Sequence, residues 1–338
     1  MSSMTHMARE IAEIPAAAER LLAQDDAFAS IAAAIEASAP PFAVICGRGS
    51  SGHAGVHLRY LIETKLGIAV SAAAPSVVTS YRRPSALAGA LFVVISQSGG
   101  SPDLVAATRA AEEAGALTLA FVNVVNSPVA QAARFVLPLA AGPEHSVAAT
   151  KSVVSSMLAG ARLVGEVAGD RALVDACGVL PGRLASALAL DWSTWGHSLV
   201  EARTAFVAAR GYGFGTAREI ALKISETLRL PALGYSAAEL RHGPRAAIAK
   251  DTPVLALRQA DATGETVDGL VQDLRAAGEP IFLAGGAASE LPWIGDGHPV
   301  LDPVAMLVPA YAAIEATARA KGYDPDRPPF LQKVTQTL

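Results

Sequence analysis

Two cysteines in 338 residues, Cys46 and Cys177, cannot form a disulfide framework or supply the ligand set of a structural zinc, and they suit a reduced compartment. Aromatic residues make up only 5%, and no stretch interleaves them with lysine or arginine. With a net charge of -4 and no basic cluster, the chain has no electrostatic footprint for a nucleic acid. No run reaches about 18 uninterrupted apolar residues, the length a membrane helix needs. Thr5, His6 and Arg9 stand where a secretory leader would need its apolar stretch, so the cytoplasm is the expected location. These scarcities leave a globular protein with no membrane, nucleic acid, metal or cofactor expected. What is abundant is apolar: 51% hydrophobic against 17% charged residues argues against disorder. Alanine-rich stretches such as 106–116, mixed with Glu and Arg, favour helices. The length fits two domains of roughly 150 residues each.

Short apolar runs at Phe42 to Cys46, Leu91 to Ile95, Leu117 to Val122 and Phe135 to Leu139 alternate with helical patterns, which is the signature of a parallel α/β sheet. The pattern recurs. Residues 43–49, Ala-Val-Ile-Cys-Gly-Arg-Gly, resemble 205–211, Ala-Phe-Val-Ala-Ala-Arg-Gly, at an offset of 162, which also carries Leu91 to Ile95 onto Pro253 to Leu257. At an offset of 163, Ala111 to Leu117 falls on Leu274 to Pro280. The expected fold is therefore α/β with two tandem domains, each a parallel sheet flanked by helices in a flavodoxin-like three-layer sandwich. The expected boundaries are a helical segment at 1–32, a first domain at 33–176, a linker at 177–196, a second domain at 197–322 and an active-site tail at 323–338. Helices are expected over Ala148 to Gly169 and Ala172 to Leu188. Pro15 marks a break or a first-turn position in the amphipathic stretch Ala8 to Gln24. The prolines between Tyr323 and Phe330 exclude a regular helix there, so an extended C-terminal tail is expected.

After the Leu91 to Ile95 strand comes Ser96-Gln97-Ser98-Gly99-Gly100-Ser101-Pro102-Asp103, and then a helical pattern. A strand, a glycine turn and a helix start place unpaired N–H groups and hydroxyls at the carboxyl end of a sheet, where anions bind. Ser101 as a simple N-cap, with the glycines serving only a turn, explains the same residues. Hydroxyl density favours the anion, because Gly49-Ser50-Ser51-Gly52-His53 follows the first strand in the equivalent place. Neither loop is a Walker A or GxGxxG sequence, which disfavours a nucleotide. The second copy has Arg258-Gln259-Ala260-Asp261-Ala262-Thr263 at this position, so the first copy is expected to bind and the second to support.

Nearly end to end, the chain resembles the double-SIS (sugar isomerase) family, which includes glucosamine-6-phosphate deaminases and the isomerase half of glutamine-fructose-6-phosphate aminotransferase. Residues 48–54 are similar to the family's first sugar-phosphate loop and 96–101 to its phosphate loop. Residues 142–151, Gly-Pro-Glu-His-Ser-Val-Ala-Ala-Thr-Lys, resemble the segment that lies against the sugar, with Val147 and Ala149 as pocket positions. Residues 217–226 and 238–244 resemble the segments carrying the catalytic glutamate and histidine, and Lys333 stands where the aminotransferase half has its Schiff-base lysine. The resemblance implies Ser50, Ser51, Ser96, Gln97, Ser98, Ser101, Val147 and Ala149 as substrate contacts, and Glu226, His242 and Lys333 as catalytic groups. It also implies a homodimer in which His242 is contributed across the interface. The sequence departs from the family in having Ser101 for a frequent threonine and Gly100 for a frequent acidic residue. The sequence shows no glutaminase portion and no N-terminal nucleophilic cysteine, so glutamine is not the expected ammonia source.

Glu219, Lys223 and Glu226, at i, i+4 and i+7, share one helix face, a spacing that equally fits a surface salt-bridge ladder. Converting an amino-aldose to a ketose moves a proton from C2 to C1, and one carboxylate near both carbons can act as base and then acid. A histidine suits ring opening near neutral pH. A lysine in a polar tail is ordinarily solvated, and if the tail covers the pocket it could form an imine or hold the open chain. The expected reaction is glucosamine-6-phosphate to fructose-6-phosphate plus ammonia. A fructosamine-6-phosphate deglycase, a galactosamine-6-phosphate deaminase or isomerase, and a non-catalytic sugar-phosphate sensor are the alternatives.

Overall fold

In a computed structural model, the structure describes residues 4–83, 86–295 and 297–333. They form two compact units, one of residues 16–143, 151–178 and 332–333, the other of residues 4–15, 144–150 and 179–331. They are called here the first-sheet and second-sheet units.

The first sheet contains β1 (Phe42–Cys46), β2 (Ala69–Ala72), β3 (Leu91–Ser96), β4 (Leu117–Val122) and β5 (Phe135–Pro138), all parallel in the order β2-β1-β3-β4-β5. Every residue of β3 and β4 is buried, so these strands read as unbroken apolar runs rather than as an alternation. β2 is a mostly exposed edge strand, which its Ala-Val-Ser-Ala sequence does not announce. Helix Gly49–Leu61 packs on helix Lys151–Val167. At their crossing a Cβ on Gly160 would lie 3.1 Å from Leu58 Cδ1, so glycine permits the close approach. Helix Asp25–Ser38 covers the same helix, with the Arg162 guanidinium 5.3 Å from the Phe28 ring centroid.

The second sheet, β6 (Ala205–Ala209), β7 (Ala232–Ser236), β8 (Val254–Leu257) and β9 (Ile281–Ala284), is parallel in the order β7-β6-β8-β9. That order reproduces β2-β1-β3-β4 of the first sheet, and β3 and β8 hold the same place, as the offset of 162 requires. Helix Gly213–Leu228 lies against β6 and β7 on one side and helix Asp302–Ala320 on the other. A Cβ on Gly234 would stand 2.5 Å from Arg218 Cα, so only glycine allows β7 and this helix to approach so closely.

The expected break in the N-terminal helical stretch is met. Thr5 caps helix His6–Ala12 by accepting from the Ala8 N–H (3.0 Å), Glu13 interrupts the helical run, and Pro15 sits in the first turn of helix Ile14–Leu22. Residues 323–330 form no helix, as expected, but they turn rather than run extended. Among the described residues, no helix is long and apolar enough to cross a membrane.

Candidate functional site

The neighbouring strands β1 and β3, in register from Ala43 with Leu91 to Cys46 with Val94, send their carboxyl ends to the same edge of the first sheet. The loop after β1 turns at Gly47 and Arg48 into helix Gly49–Leu61, which puts Ser50 and Ser51, both half-buried, in its first turn. Ser96 ends β3, and its Oγ accepts from the Gly99 N–H (3.0 Å), while Ser98 Oγ accepts from the Gly100 N–H (3.3 Å). A hydroxyl that accepts from backbone still has its own proton to donate. Gly99 has φ of +59°, and a Cβ there would fall 2.0 Å from Ser127 Oγ, so glycine is required on two counts. Ser101 occupies the N-cap position of helix Pro102–Glu113, yet its side chain forms no capping hydrogen bond. The carboxylate in that helix's first turn, Asp103, is buried and paired with Arg48 at 2.9 Å, which ties the two loops together and offsets the charge of that carboxylate. All six hydroxyl and amide residues expected for the phosphate thus gather at one edge of one sheet.

In the second-sheet unit, Glu219, Lys223 and Glu226 are not a surface ladder. Glu219 is 0% exposed and Lys223 is 1% exposed, whereas the Glu226 side chain retains 21%. Lys223 Nζ lies 3.5 Å from Glu219 and donates to Glu226. Burial alone would depress the Lys223 ammonium, but the carboxylates of Glu219 and Glu226, with Glu144 further off, outweigh it and hold its pKa above the ordinary value. The ammonium therefore stays charged. Tyr311, fully buried on helix Asp302–Ala320, donates its hydroxyl to Glu219 at 3.2 Å, and burial followed by the same carboxylates raises its phenol well above the usual range. Of this ionic group, Glu226 is the carboxylate on helix Gly213–Leu228 that a ligand can reach.

Val147 and Ala149 lie half-buried on the 144–150 loop, whose buried Glu144 accepts from the Thr150 N–H (3.1 Å) and contributes to the field at Lys223. His242 is exposed at the end of helix Ala237–His242, outside the Lys223 group within one chain. Lys333 is half-buried and belongs with the first-sheet unit. Sequence reasoning passed over the roles of Lys223, Glu219, Tyr311 and Glu144. For Lys223 there was a signal, its apolar neighbours Leu222 and Ile224, whereas Tyr311 sits in an apolar helix 92 residues from its partner and gave none.

The SIS domain family matches residues 42–164 and 198–292, the segments that hold the two sheets. The chain belongs to the SIS-domain family. A glutamine-fructose-6-phosphate aminotransferase [isomerizing] of Symbiobacterium thermophilum is 34% identical over 307 residues, which are 84% of this chain and 50% of that protein. The chain spans about half the length of the curated relatives it matches. A Silicibacter pomeroyi structure, provisionally named a phosphosugar isomerase, is 38% identical with a TM-score of 0.91, covering 96% of this chain and 100% of that one. The C-terminal domain of the Francisella tularensis glucosamine-fructose-6-phosphate aminotransferase shares the fold, with a TM-score of 0.83 at 23% identity over 97% of this chain and 99% of that one.

Proposed function

We propose that this SIS-domain protein is an amino-sugar-phosphate deaminase and isomerase that converts glucosamine-6-phosphate and water to fructose-6-phosphate and ammonia. The observation that carries this reading is Glu226, a partly open carboxylate held by the buried Lys223 ammonium, whose other neighbour is Glu219. Such a group is oriented before substrate arrives, as a proton-transfer base must be. The hydroxyls of Ser50, Ser51, Ser96, Ser98 and Ser101, with the Gln97 amide, hold the phosphate. His242, contributed by the second subunit of a homodimer, moves the proton that opens the pyranose. Glu226 takes the C2 proton and returns it to C1, and the Lys223 ammonium holds that carboxylate in place. The resulting C2 imine is hydrolysed, releasing ammonia. Val147 and Ala149 pack against the sugar, and Lys333 holds the open chain, since a substrate already bearing nitrogen at C2 needs no Schiff base with the enzyme.

Incubation with glucosamine-6-phosphate and, separately, galactosamine-6-phosphate, following ammonia and ketose-6-phosphate, tests the reading. Glu226→Gln is expected to lower kcat by about a thousandfold while sugar-phosphate binding persists. Binding without either product in the unaltered protein points instead to a sensor, and an active Glu226→Gln protein removes Glu226 as the base.

A further inference from the structure

The 144–150 loop has no regular secondary structure, so its backbone N–H groups need partners from elsewhere. Helix His6–Ala12 supplies them. Glu10, 3% exposed, accepts from the His145 N–H, and both of its oxygens lie 3.3 Å from the Ser146 nitrogen. The Val147 N–H donates to the Asp326 carbonyl at 3.4 Å. The Asp326 carboxylate in turn accepts from the His6 and Met7 N–H groups at 2.7 and 2.8 Å, so this stretch of the tail is fastened to the same helix. At the helix's N-cap, the Thr5 hydroxyl donates to Glu315 at 2.7 Å, on the helix that carries Tyr311.

His6, His145, Val147, Asp326 and Arg327 line a cavity of ≈ 340 Å³. One seven-residue helix therefore holds both the loop and the tail that wall this cavity, through two carboxylates that accept from backbone N–H groups. The same loop carries Glu144, which acts on Lys223.

We propose that Glu10 and Asp326 are positioning residues of the sugar pocket, fixing the 144–150 loop so that Val147 and Ala149 meet the sugar and Glu144 keeps its place toward Lys223. The assignment rests on the sugar-phosphate reading above. A loop released from these contacts still has its residues, but each binding event must order it, which weakens binding more than chemistry.

Hydrogen exchange at amides 145–147 and steady-state kinetics with glucosamine-6-phosphate, on unaltered protein, Glu10→Gln, Glu10→Ala and Asp326→Asn, test this. Glu10→Ala should speed exchange at 145 and 146 and raise KM about tenfold, the scale of one charge-assisted hydrogen bond, with kcat within about threefold. Glu10→Gln, which keeps one acceptor, should fall between it and the unaltered protein, and Asp326→Asn should loosen both Val147 and the helix start. A purely structural role would lower the thermal midpoint and the active fraction with KM unchanged, and that result overturns the proposal. Unchanged exchange overturns it as well. If the unaltered protein does not turn over glucosamine-6-phosphate, the functional reading alone has failed. Exchange and calorimetric binding of the same compound then decide the role of Glu10 and Asp326, since folded Glu10→Gln protein with unaltered exchange and affinity refutes it.

Discussion

The loops after β3 and β8 hold the same place in two sheets of the same strand order, yet they deal with an anion in opposite ways. After β3, Ser96 and Ser98 use their hydroxyls to fold a glycine turn, and the nearby carboxylate of Asp103 is paired with Arg48. After β8, the position of Gly99 is taken by Asp261, whose carboxylate accepts from the Thr263 N–H (2.8 Å) and hydroxyl (2.6 Å) at the start of helix Gly264–Ala276. Gln259, fully buried, adds its amide to Asp261 and Thr263 and to the Arg210 carbonyl. The second loop therefore carries its own anion where the first offers donors. A helix start at a sheet's carboxyl edge is generic, and what makes it a ligand site is whether the chain has already filled it.

Moving the carboxylate should break the contrast. Gly99→Asp places an acidic side chain at φ of +59° and against Ser127, so sugar-phosphate affinity is expected to fall by more than about a hundredfold, measured by calorimetry. Affinity within a few fold of the unaltered protein would sink the phosphate assignment. Smaller, and confined to the second-sheet unit, is Tyr311→Phe. Without the phenol, Glu219 loses a donor in a fully buried position and competes with Glu226 for Lys223. The expected result is about a tenfold loss in kcat with KM for the sugar phosphate unchanged.

The two sheets were legible because β3, β4, β6 and β8 are buried on both faces, and unbroken apolar runs survive in sequence as strands. The edge strands β2 and β7 were not, because exposure removes the apolar requirement and a glycine at 234 serves helix packing instead. In the candidate site, the Ser96 to Ser101 turn could be read because a glycine turn ahead of a helix has its own residue signature. Glu219, Lys223 and Glu226 were visible as a face but not as a buried group, since spacing says nothing of what packs over it. Tyr311, Glu10 and Asp326 act through contacts that span 92 to 320 residues, and no local pattern encodes such a partner.

Replacing Asp261 tests the other half of the contrast. Asp261→Asn keeps the shape but removes the charge at the helix start, and is expected to cost about 1 kcal/mol of stability in chemical denaturation while leaving kcat and KM unchanged. A large kinetic effect would mean that the second loop takes part in catalysis and that support is the wrong word for it.

A last contrast separates the two units by pH. Cys46 and Cys177 both lie in the first-sheet unit, and burial pushes each thiol from 9.0 up to about 12, with Asp103 adding to the rise and Arg48 opposing it at Cys46. A group that holds its proton more tightly when folded contributes stability that is complete below the unfolded pKa and is lost as pH climbs toward the folded one. Stability should therefore begin to fall near pH 9, by about 1 kcal/mol per thiol at pH 10. The raised groups of the second-sheet unit start later, since Tyr311 and Lys223 have ordinary values of 10.0 and 10.5, and their contributions are lost only above those. Denaturant midpoints between pH 8 and 10 should thus report the thiols. Cys177→Ala, although less stable at pH 8, should show about half the slope of the unaltered protein over that range, and an unchanged slope would mean that Cys177 is not held as a buried neutral thiol.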